Sequence, residues 1–231
     1  MLELFPEGFA EEPSGQDVEL VAFTDEAGAR RLGESFGMVA SKPVAAGWEE
    51  EWKRFHIPVV VGSLWIGPPW AKPEPGLKRV WIDPGQAFGT GSHPTTQLCL
   101  EILHLLEPGS VLDVGCGSGV LGIAALTLGF GPVLAIDSDE AAVEATTRNA
   151  TANSVHLDVR QADALTGPLP DAAIVLANID LPTLARLTPP HACRLLVTSG
   201  YYEDAQPEFS GFGHVARHVQ ANWAADLFTR G

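Results

Sequence analysis

The residues most able to do chemistry lie in 111–122, which read Val-Leu-Asp-Val-Gly-Cys-Gly-Ser-Gly-Val-Leu-Gly. An apolar strand is predicted first, alternating glycines follow at Gly115, Gly117 and Gly119, and an apolar helix comes next. Alternating glycines allow a sharp turn and let a ligand approach the main chain closely. The helix that follows offers free N–H groups and the positive end of its dipole. The pattern therefore predicts a nucleotide-type cofactor site on an α/β sheet.

Polar side chains are predicted at the ends of the strands around this glycine loop (residues 115–119). Asp113 stands two residues before Gly115, where a carboxylate can face an ammonium group. Asp137 ends the next apolar strand, where a carboxylate can accept hydrogen bonds from a ribose diol. Asp163 and Asn178 follow two later predicted strands. Ligands of open α/β sheets bind beyond the carboxyl ends of strands, so these side chains are predicted to face one site.

The glycine loop alone does not identify the cofactor, because Gly117-x-Gly119-x-x-Gly122 also satisfies the dinucleotide fingerprint. Three observations favour S-adenosylmethionine. The Asp113 carboxylate would repel a pyrophosphate, residues 80–147 contain no Lys or Arg, and the upstream loop 88–96 is suited to cover a ligand. A sulfonium cofactor favours an acidic site, whereas bound phosphates often recruit a cation. A dinucleotide site and a turn without ligand remain the alternatives.

Residues 82–101, Ile-Asp-Pro-Gly-Gln-Ala-Phe-Gly-Thr-Gly-Ser-His-Pro-Thr-Thr-Gln-Leu-Cys-Leu-Glu, closely resemble the signature of the PrmA family, the methyltransferases of large-subunit ribosomal protein eleven. Segments 111–125, 136–153 and 175–179 match the same family in order and spacing. The resemblance implies a class I, Rossmann-like methyltransferase fold and S-adenosyl-L-methionine as cofactor. It also implies N-methylation of amino groups, on lysine side chains or the N-terminus, of a basic ribosomal protein.

The resemblance implies four cofactor contacts, namely Thr96, Gly115, Asp137 and Asn178. The residues themselves add further predicted cofactor contacts at Asp113, Gly117, Gly119 and Asp163, and in the upstream loop at Phe88 and Thr90. Asn178 is the predicted catalytic residue. Methyl transfer depends on a nucleophile held in line and stripped of water, and the Asn178 side-chain oxygen can orient a neutral amine for that step. No metal site is predicted.

Two further residues near the site each have two interpretations. His93 is either a general base or a residue that fixes the turn before Pro94, which suits a first helical position. Asp180 either attracts an incoming lysine ammonium or caps the helix predicted from Leu181. In both cases the local structural role is the more common one for such a residue.

Composition narrows the class of protein. The 231 residues carry a formal net charge of −15, so a basic protein partner is expected, and direct binding to nucleic acid is not. The three cysteines show no metal-ligand spacing and are interpreted as free thiols of a reducing compartment. No apolar run approaches the length of a membrane span, and no signal peptide is recognised. These features favour a cytoplasmic enzyme.

Strands and helices alternate along most of the chain, which predicts a seven-stranded, mostly parallel sheet with an antiparallel last strand. The predicted strands are Val111–Val114, Val133–Ile136, Leu157–Gln161, Ala173–Ala177, Leu195–Ser199, His214–Gln220 and Ala224–Thr229. The predicted helices are Thr95–Leu106, Val120–Leu128, Asp139–Asn153 and Leu181–Thr188. Before them, strands are predicted at Val18–Thr24, Met38–Val44, Val59–Gly62 and Leu64–Ile66, and a helix at Asp25–Phe36.

Three regions are predicted: a reduced, ferredoxin-like α+β lobe over 1–45, a linker region over 46–78 and the methyltransferase domain over 79–231. PrmA proteins usually carry a larger N-terminal ferredoxin-like domain that holds the ribosomal protein. Because this lobe is smaller here, a different protein or a small-molecule amine stays open as the methyl acceptor. A non-catalytic module that binds the nucleoside is the alternative outside enzymes.

Overall fold

The computed structural model describes residues 10–14, 17–21, 26–37, 56–83 and 91–231. The chain divides into two compact units, Met1–Trp52 and Lys53–Gly231. In the first unit an antiparallel pair of strands, β1 (Ala10–Ser14) and β2 (Asp17–Val21), precedes helix α1 (Glu26–Phe36). Strand β2 and helix α1 confirm the elements predicted there, whereas β1 was not predicted. The strand predicted at Met38–Val44 lies outside the described residues.

The second unit begins with a three-stranded sheet of β3 (Val59–Val61), β4 (Leu64–Gly67) and β5 (Lys78–Trp81). Strands β3 and β4 are antiparallel, and β4 and β5 are parallel. The fully buried Trp65 packs edge-to-face on Trp81, with ring centroids 5.0 Å apart. The predicted division into a lobe over 1–45, a linker region over 46–78 and a catalytic domain over 79–231 stays a prediction.

The main sheet has seven strands in the order β11-β12-β10-β9-β6-β7-β8. Their bounds are β6 Val111–Val114, β7 Val133–Asp137, β8 Asp158–Gln161, β9 Ile174–Asn178, β10 Leu195–Tyr202, β11 Phe212–Gln220 and β12 Trp223–Arg230. Neighbouring strands from β8 to β10 are parallel, whereas β12 runs antiparallel to both β10 and β11. The predicted mostly parallel sheet with an antiparallel last strand is confirmed.

Four helices accompany this sheet, namely α2 (Pro94–Leu103), α3 (Val120–Leu128), α4 (Glu140–Ala152) and α5 (Leu181–Leu184). The predicted positions are confirmed, although α5 is a single turn and ends well before Thr188. The two prolines that follow, Pro189 and Pro190, have no backbone N–H to donate, and the residue before a proline disfavours the helical conformation. The helix therefore cannot continue through them. Among the described residues, no helix combines the length and apolarity needed to cross a bilayer.

Successive side chains of a strand point to opposite faces of the sheet, so the hydrophobic core forms one cluster on each face. On one face, Val111 and Leu176 pack with side chains of α2 and α3, such as Leu98 and Ile123. We call this the α2 face. On the other face, a second cluster surrounds Leu112, Val175 and the α5 residue Leu184. Asp113, two residues after Val111, and Asn178, two residues after Leu176, therefore both point to the α2 face.

Candidate functional site

A cavity of about 340 Å³ opens where β6, β7 and β9 end. Seven of the sequence-predicted site residues line it, namely Thr96, Asp113, Gly115, Gly117, Asp137, Asp163 and Asn178. Gly119 stands just behind the lining as the N-cap of α3. Phe88 and Thr90 lie outside the described residues. The geometry thus brings together residues that lie on or just after four separate strands, and one residue of a helix.

The glycine loop adopts a backbone that other residues cannot follow easily. Gly115, Gly117 and Gly119 have φ angles of +70°, +54° and +82°, in the left-handed region. A Cβ atom on Gly115 would collide with Ile179 Cγ2, and one on Gly119 would lie 2.7 Å from Thr146 Cγ2. The loop therefore needs glycine both for its conformation and for its close packing.

The Asp137 carboxylate is held at the end of β7 by two main-chain donors. The Gly117 N–H donates to Oδ2 at 2.9 Å, and the Asp139 N–H donates to Oδ1 at 3.0 Å. Each carboxylate oxygen has a further lone pair, so both can still accept from hydroxyl donors in the cavity. The strand end and the glycine loop thus fix the direction in which this carboxylate can bind a ligand.

Asp113 is almost fully buried beneath the glycine loop, with an exposed fraction of 1%. Its Oδ2 accepts a hydrogen bond of 2.9 Å from the Gly122 N–H in the first turn of α3. Burial raises the pKa of this carboxyl to about 7, and the negative charge of Asp137 adds to the rise. Near neutral pH this group can therefore exchange a proton when a positive charge enters the cavity.

Asn178 and Thr96 meet at the side of the cavity next to α2. The Asn178 side chain donates through Nδ2 to the hydroxyl oxygen of the buried Thr96, at 3.4 Å. Thr96 is fixed in turn because α2 begins at Pro94, with His93 as its N-cap. An amide that donates through Nδ2 presents its Oδ1 as an acceptor, which is the geometry needed to receive an N–H group.

His93 and Asp180, for which the sequence left two interpretations each, both have the local structural role in the structure. His93 Nδ1 accepts from the Thr95 N–H at 3.3 Å and lies 2.8 Å from the Thr95 hydroxyl, and burial lowers the pKa of this imidazole. Asp180 caps α5 by accepting from the Thr183 N–H at 3.0 Å. The hydrogen bond from the Thr183 hydroxyl lowers the pKa of the Asp180 carboxyl.

Helix α4 carries a support for the site that sequence reasoning missed. The Thr146 hydroxyl donates to Gly117 O at 2.9 Å, and Asn149 Nδ2 donates to Ser118 O at 2.9 Å. The other end of the Asn149 amide accepts from the Asp83 N–H at 3.0 Å. Both side chains are buried. Thr146 and Asn149 are three positions apart and therefore lie on one face of the helix. This spacing of two polar side chains is the sequence feature from which their shared role could have been predicted.

The chemistry of the cavity favours a cationic ligand. Its lining includes the carboxylates of Asp113, Asp137, Asp163 and Asp180, and none of the described lining residues is Lys or Arg. A phosphate-bearing ligand would meet this charge unfavourably, whereas an ammonium or sulfonium ligand would be attracted. The volume lies within the usual range for small-molecule sites, roughly 300–1,000 Å³. The described residues contain no cluster of side chains able to hold a metal ion.

Comparisons with known proteins agree with this geometry. The chain is 42% identical over 159 residues to "Ribosomal protein L11 methyltransferase" of Dictyoglomus thermophilum, covering 67% of this chain and 52% of that protein. It is 39% identical over 199 residues to the protein of the same name from Legionella pneumophila strain Corby, covering 79% and 68%. The chain thus spans about half to two thirds of the length of these curated relatives.

Solved structures show the same fold. A crystal structure of the ribosomal protein L11 methylase from Lactobacillus delbrueckii subsp. bulgaricus matches with a TM-score of 0.64 and 25% identity, covering 75% of this chain and 98% of that one. The seven-stranded sheet is thus that of a class I, Rossmann-like methyltransferase fold. Residues 16–204 match the family described as "Ribosomal protein L11 methyltransferase (PrmA)". The chain therefore belongs to the PrmA family of ribosomal protein L11 methyltransferases.

Proposed function

We propose that this protein transfers methyl groups from S-adenosyl-L-methionine to amino groups of ribosomal protein L11, on lysine side chains or the N-terminus. The observation that carries the proposal is the pairing of Asn178 with Thr96 beside an acidic cavity. This arrangement places an acceptor for amine N–H groups next to a site that suits a cationic cofactor. Membership of the PrmA family supports the choice of L11 as the methyl acceptor.

The cofactor fits the cavity through contacts of distinct chemistry. Asp137 accepts the ribose hydroxyls, and the glycine loop with Gly115, Gly117 and Gly119 lets the cofactor approach the main chain. Asp113 is the counter-charge for the methionine ammonium, since its carboxylate lines the cavity from beneath the loop. Asp163, two residues after the end of β8, would contact the base of the cofactor. Phe88 and Thr90, which the sequence predicts as cofactor contacts, would complete the cover over the bound cofactor.

Bound S-adenosylmethionine supplies an electrophilic methyl group on a sulfonium. The acceptor amine must reach it uncharged, because an ammonium group has no lone pair. The Asn178 Oδ1 accepts an N–H of that amine and so aims the lone pair along the line of attack. Thr96 holds the Asn178 amide in the orientation this requires. Positioning rather than strong acid or base chemistry is thus the contribution of the protein.

The acceptor is inferred from charge and family together. A net charge of −15 favours a basic protein, and exposed lysines and a free N-terminus supply amines of the required kind. We place the encounter in the cytoplasm, with no direct contact to nucleic acid. Residues 1–45 are proposed as a ferredoxin-like lobe that helps to hold this protein, followed by the linker region 46–78 and the catalytic domain 79–231.

Replacement of Asp137 by alanine tests the cofactor assignment. A charge-assisted pair of hydrogen bonds to the ribose contributes about 1.5–3 kcal/mol, so Asp137→Ala should weaken S-adenosylmethionine binding about tenfold or more. Titration calorimetry measures the affinity, and Asp139→Asn serves as control, since it retains the cap of α4 two residues away. Tight binding of a nicotinamide dinucleotide with none of S-adenosylmethionine would refute the assignment.

Methyl transfer itself is tested with labelled cofactor. The purified protein is incubated with L11 and, separately, with the other ribosomal proteins from cells that lack the enzyme, and modified residues are identified by mass spectrometry. Label on L11 amino groups supports the proposal. Label confined to another protein or to a small amine would leave a methyltransferase with a different acceptor. Binding of the cofactor without any turnover would indicate a nucleoside-binding module.

A further inference from the structure

Three aromatic side chains gather at the carboxyl edge of the sheet outside the cavity. Trp223 is half-buried at the start of β12, and its ring lies 4.4 Å from that of Tyr202 at the end of β10. His93, the N-cap of α2, meets the same indole edge-on, with centroids 4.9 Å apart. Tyr202 leaves 58% of its surface exposed. The trio therefore presents aromatic surface to solvent.

The strand register places this aromatic group next to Asn178. Ser199 pairs with Asn178 on one side and with Ala225 on the other, and Trp223 stands two residues before Ala225 on the same face. Two strand spacings separate Asn178 from β12, a span of about 10 Å. The first turn of α2 joins the two places, since Thr96 contacts Asn178 and His93 contacts Trp223.

Acidic side chains border the aromatic pair on a segment that the fold holds in place. Glu203 and Asp204 follow Tyr202 directly and are exposed. The Glu203 N–H donates to Asn222 O at 2.8 Å, which ties this segment to the turn before Trp223. Arg217 also holds it, because its guanidinium donates to Glu203 O at 2.9 Å.

The arginine is itself anchored in the sheet. Its Nε donates to Oδ1 of the fully buried Asp226 at 2.9 Å, and its Nη2 donates to Oδ2 at 2.8 Å. Nη2 also donates to Ala205 O at 2.7 Å, one residue beyond Asp204. The carboxylates beside Tyr202 are thus carried on a segment anchored at both of its ends.

We propose that Trp223 and Tyr202, bordered by Glu203 and Asp204, form the approach site for the acceptor's alkylammonium side chain, a lysine of a basic protein. The inference rests on the proposed function and extends it. Aromatic faces attract a cation and also pack against the methylenes that carry it, and nearby carboxylates add long-range attraction. The ammonium is thereby held at the start of β12, a strand that lies about 10 Å from Asn178 across the sheet. It gives its proton to solvent water at this exposed site, and the neutral amine then advances to the methyl group.

Direct binding tests the site without requiring turnover. The indole N–H resonance of Trp223 is assigned in ¹⁵N NMR spectra by its loss in Trp223→Phe. The protein, saturated with S-adenosylhomocysteine, is then titrated with Nα-acetyl-lysine amide and with its uncharged analogue Nα-acetyl-norleucine amide. We expect the lysine derivative to shift this resonance, and the norleucine derivative to shift it much less. Equal shifts, or none, would overturn the proposal.

Kinetics with L11 separate this inference from the proposed function. Trp223→Leu keeps an apolar side chain but loses the ring, so KM for L11 should rise about fivefold to tenfold while the affinity for S-adenosylmethionine stays unchanged. Trp223→Phe should retain most of the wild-type KM, and thermal unfolding checks that both variants fold. Methyl transfer with a wild-type KM in Trp223→Leu would refute the approach site alone. A lysine-specific NMR shift without methyl transfer to any protein would refute the proposed function alone.

The role of the acidic border, Glu203 and Asp204, can be tested against a second pair of acidic residues with the same charge. Glu203→Gln with Asp204→Asn should raise KM for L11, and more so at low salt. Asp171→Asn with Glu208→Gln removes the same charge from residues that line a separate cavity and should leave KM nearly unchanged. Equal effects of the two pairs would assign the attraction to overall charge and overturn the role of the border.

Discussion

The carboxylates of the site are held mainly by main-chain N–H groups. Asp137 accepts from the backbone of Gly117 and Asp139, Asp113 accepts from Gly122, and Asp180 accepts from Thr183. Such donors orient a carboxylate without neutralising it. The negative charge of these groups is therefore still available to a cationic ligand. Burial, with a smaller addition from the charge of Asp137, raises the pKa of Asp113 to about 7.

Asp113 should make the stability of the protein depend on pH between about 4 and 7. Its pKa is about 7 in the folded protein, against about 3.9 in an unfolded chain, so the folded state binds more protons within this window. Its contribution to the free energy of unfolding therefore falls as pH rises, by up to about 1.4 kcal/mol per pH unit. Asp113→Asn cannot ionise and should gain stability relative to wild type across the same window.

Urea unfolding of both proteins from pH 4 to pH 8 measures this difference. Because Asn is close in shape to Asp and can still accept from the Gly122 N–H, the comparison isolates the proton. Asp139→Asn, at the exposed cap of α4, is the control and should show no such trend. A difference between Asp113→Asn and wild type that stays constant with pH would mean that Asp113 does not titrate in this range.

Replacement of Asn178 by alanine should lower turnover far more than cofactor affinity. If Asn178 aims the amine, its loss misplaces the nucleophile and should reduce kcat about a hundredfold, whereas the dissociation constant of S-adenosylmethionine should rise by less than about tenfold. Thr96→Val should have a smaller effect of the same kind, and Thr96→Ser should be near wild type. Rapid-quench single-turnover rates and calorimetry measure the two quantities. An unchanged rate would assign Asn178 a packing role.

Among the elements, helix α4 connects the glycine loop to β5, the last strand of the three-stranded sheet. Thr146 and Asn149 bind the carbonyls of Gly117 and Ser118, and the other end of the Asn149 amide binds the backbone of Asp83. Asn153, one turn further on, accepts from the Trp81 N–H at 2.8 Å. One face of a single helix thus sets the distance between the glycine loop and β5.

Asn149→Ala should destabilise both the fold and the cofactor site. It removes the hydrogen bond to the carbonyl of the fully buried Ser118, and the loss of such a buried partner costs about 1–3 kcal/mol. It also removes the hydrogen bond from the N–H of the exposed Asp83, which water can replace. We expect the free energy of unfolding to fall by about 1–3 kcal/mol, with weaker S-adenosylmethionine binding. Thr147→Ala, on the exposed face of α4, is the matched control. Equal stability of the two variants would refute the role of Asn149.

The sequence allowed the strands of the main sheet to be predicted because most are short apolar runs ending at polar residues. Strand β1 escaped prediction because Pro13 within Ala10–Ser14 argues against a strand. The contacts of Asn149 and Trp223 could not be predicted from the sequence for a different reason. Their partners are distant in sequence, and only the packing of α4 and the register of β12 bring them together.

At the scale of the whole molecule, excess negative charge is the dominant electrostatic feature. The chain has 29 acidic side chains and 14 Lys and Arg residues. Such a charge attracts a basic partner over distances that salt controls, because exposed charges are screened beyond about 10 Å at 0.1 M ionic strength. Long-range attraction raises the rate of encounter more than the strength of the final contacts.

Methyl transfer to L11 should therefore depend on ionic strength through the encounter step. We expect kcat/KM for L11 to fall severalfold between about 0.05 M and 0.5 M salt, while kcat at saturating L11 changes little. Initial rates at several KCl concentrations measure both, and a short peptide with a free N-terminus and no charged side chains is the control acceptor. The same salt dependence for that peptide would indicate an effect on the enzyme itself rather than on the encounter.

The position of β12 in the sheet has a consequence for biosynthesis. It follows β10 and β11 in the chain yet lies between them, hydrogen-bonded to both. A nascent chain that has emerged only as far as β11 therefore cannot complete the sheet. Until β12 is added, the edge of β10 exposes unpaired backbone N–H and C=O groups, which can pair with the wrong strand. During translation, the arrival of this late strand is therefore a step at which a chaperone or a stalled ribosome would change the yield of folded protein.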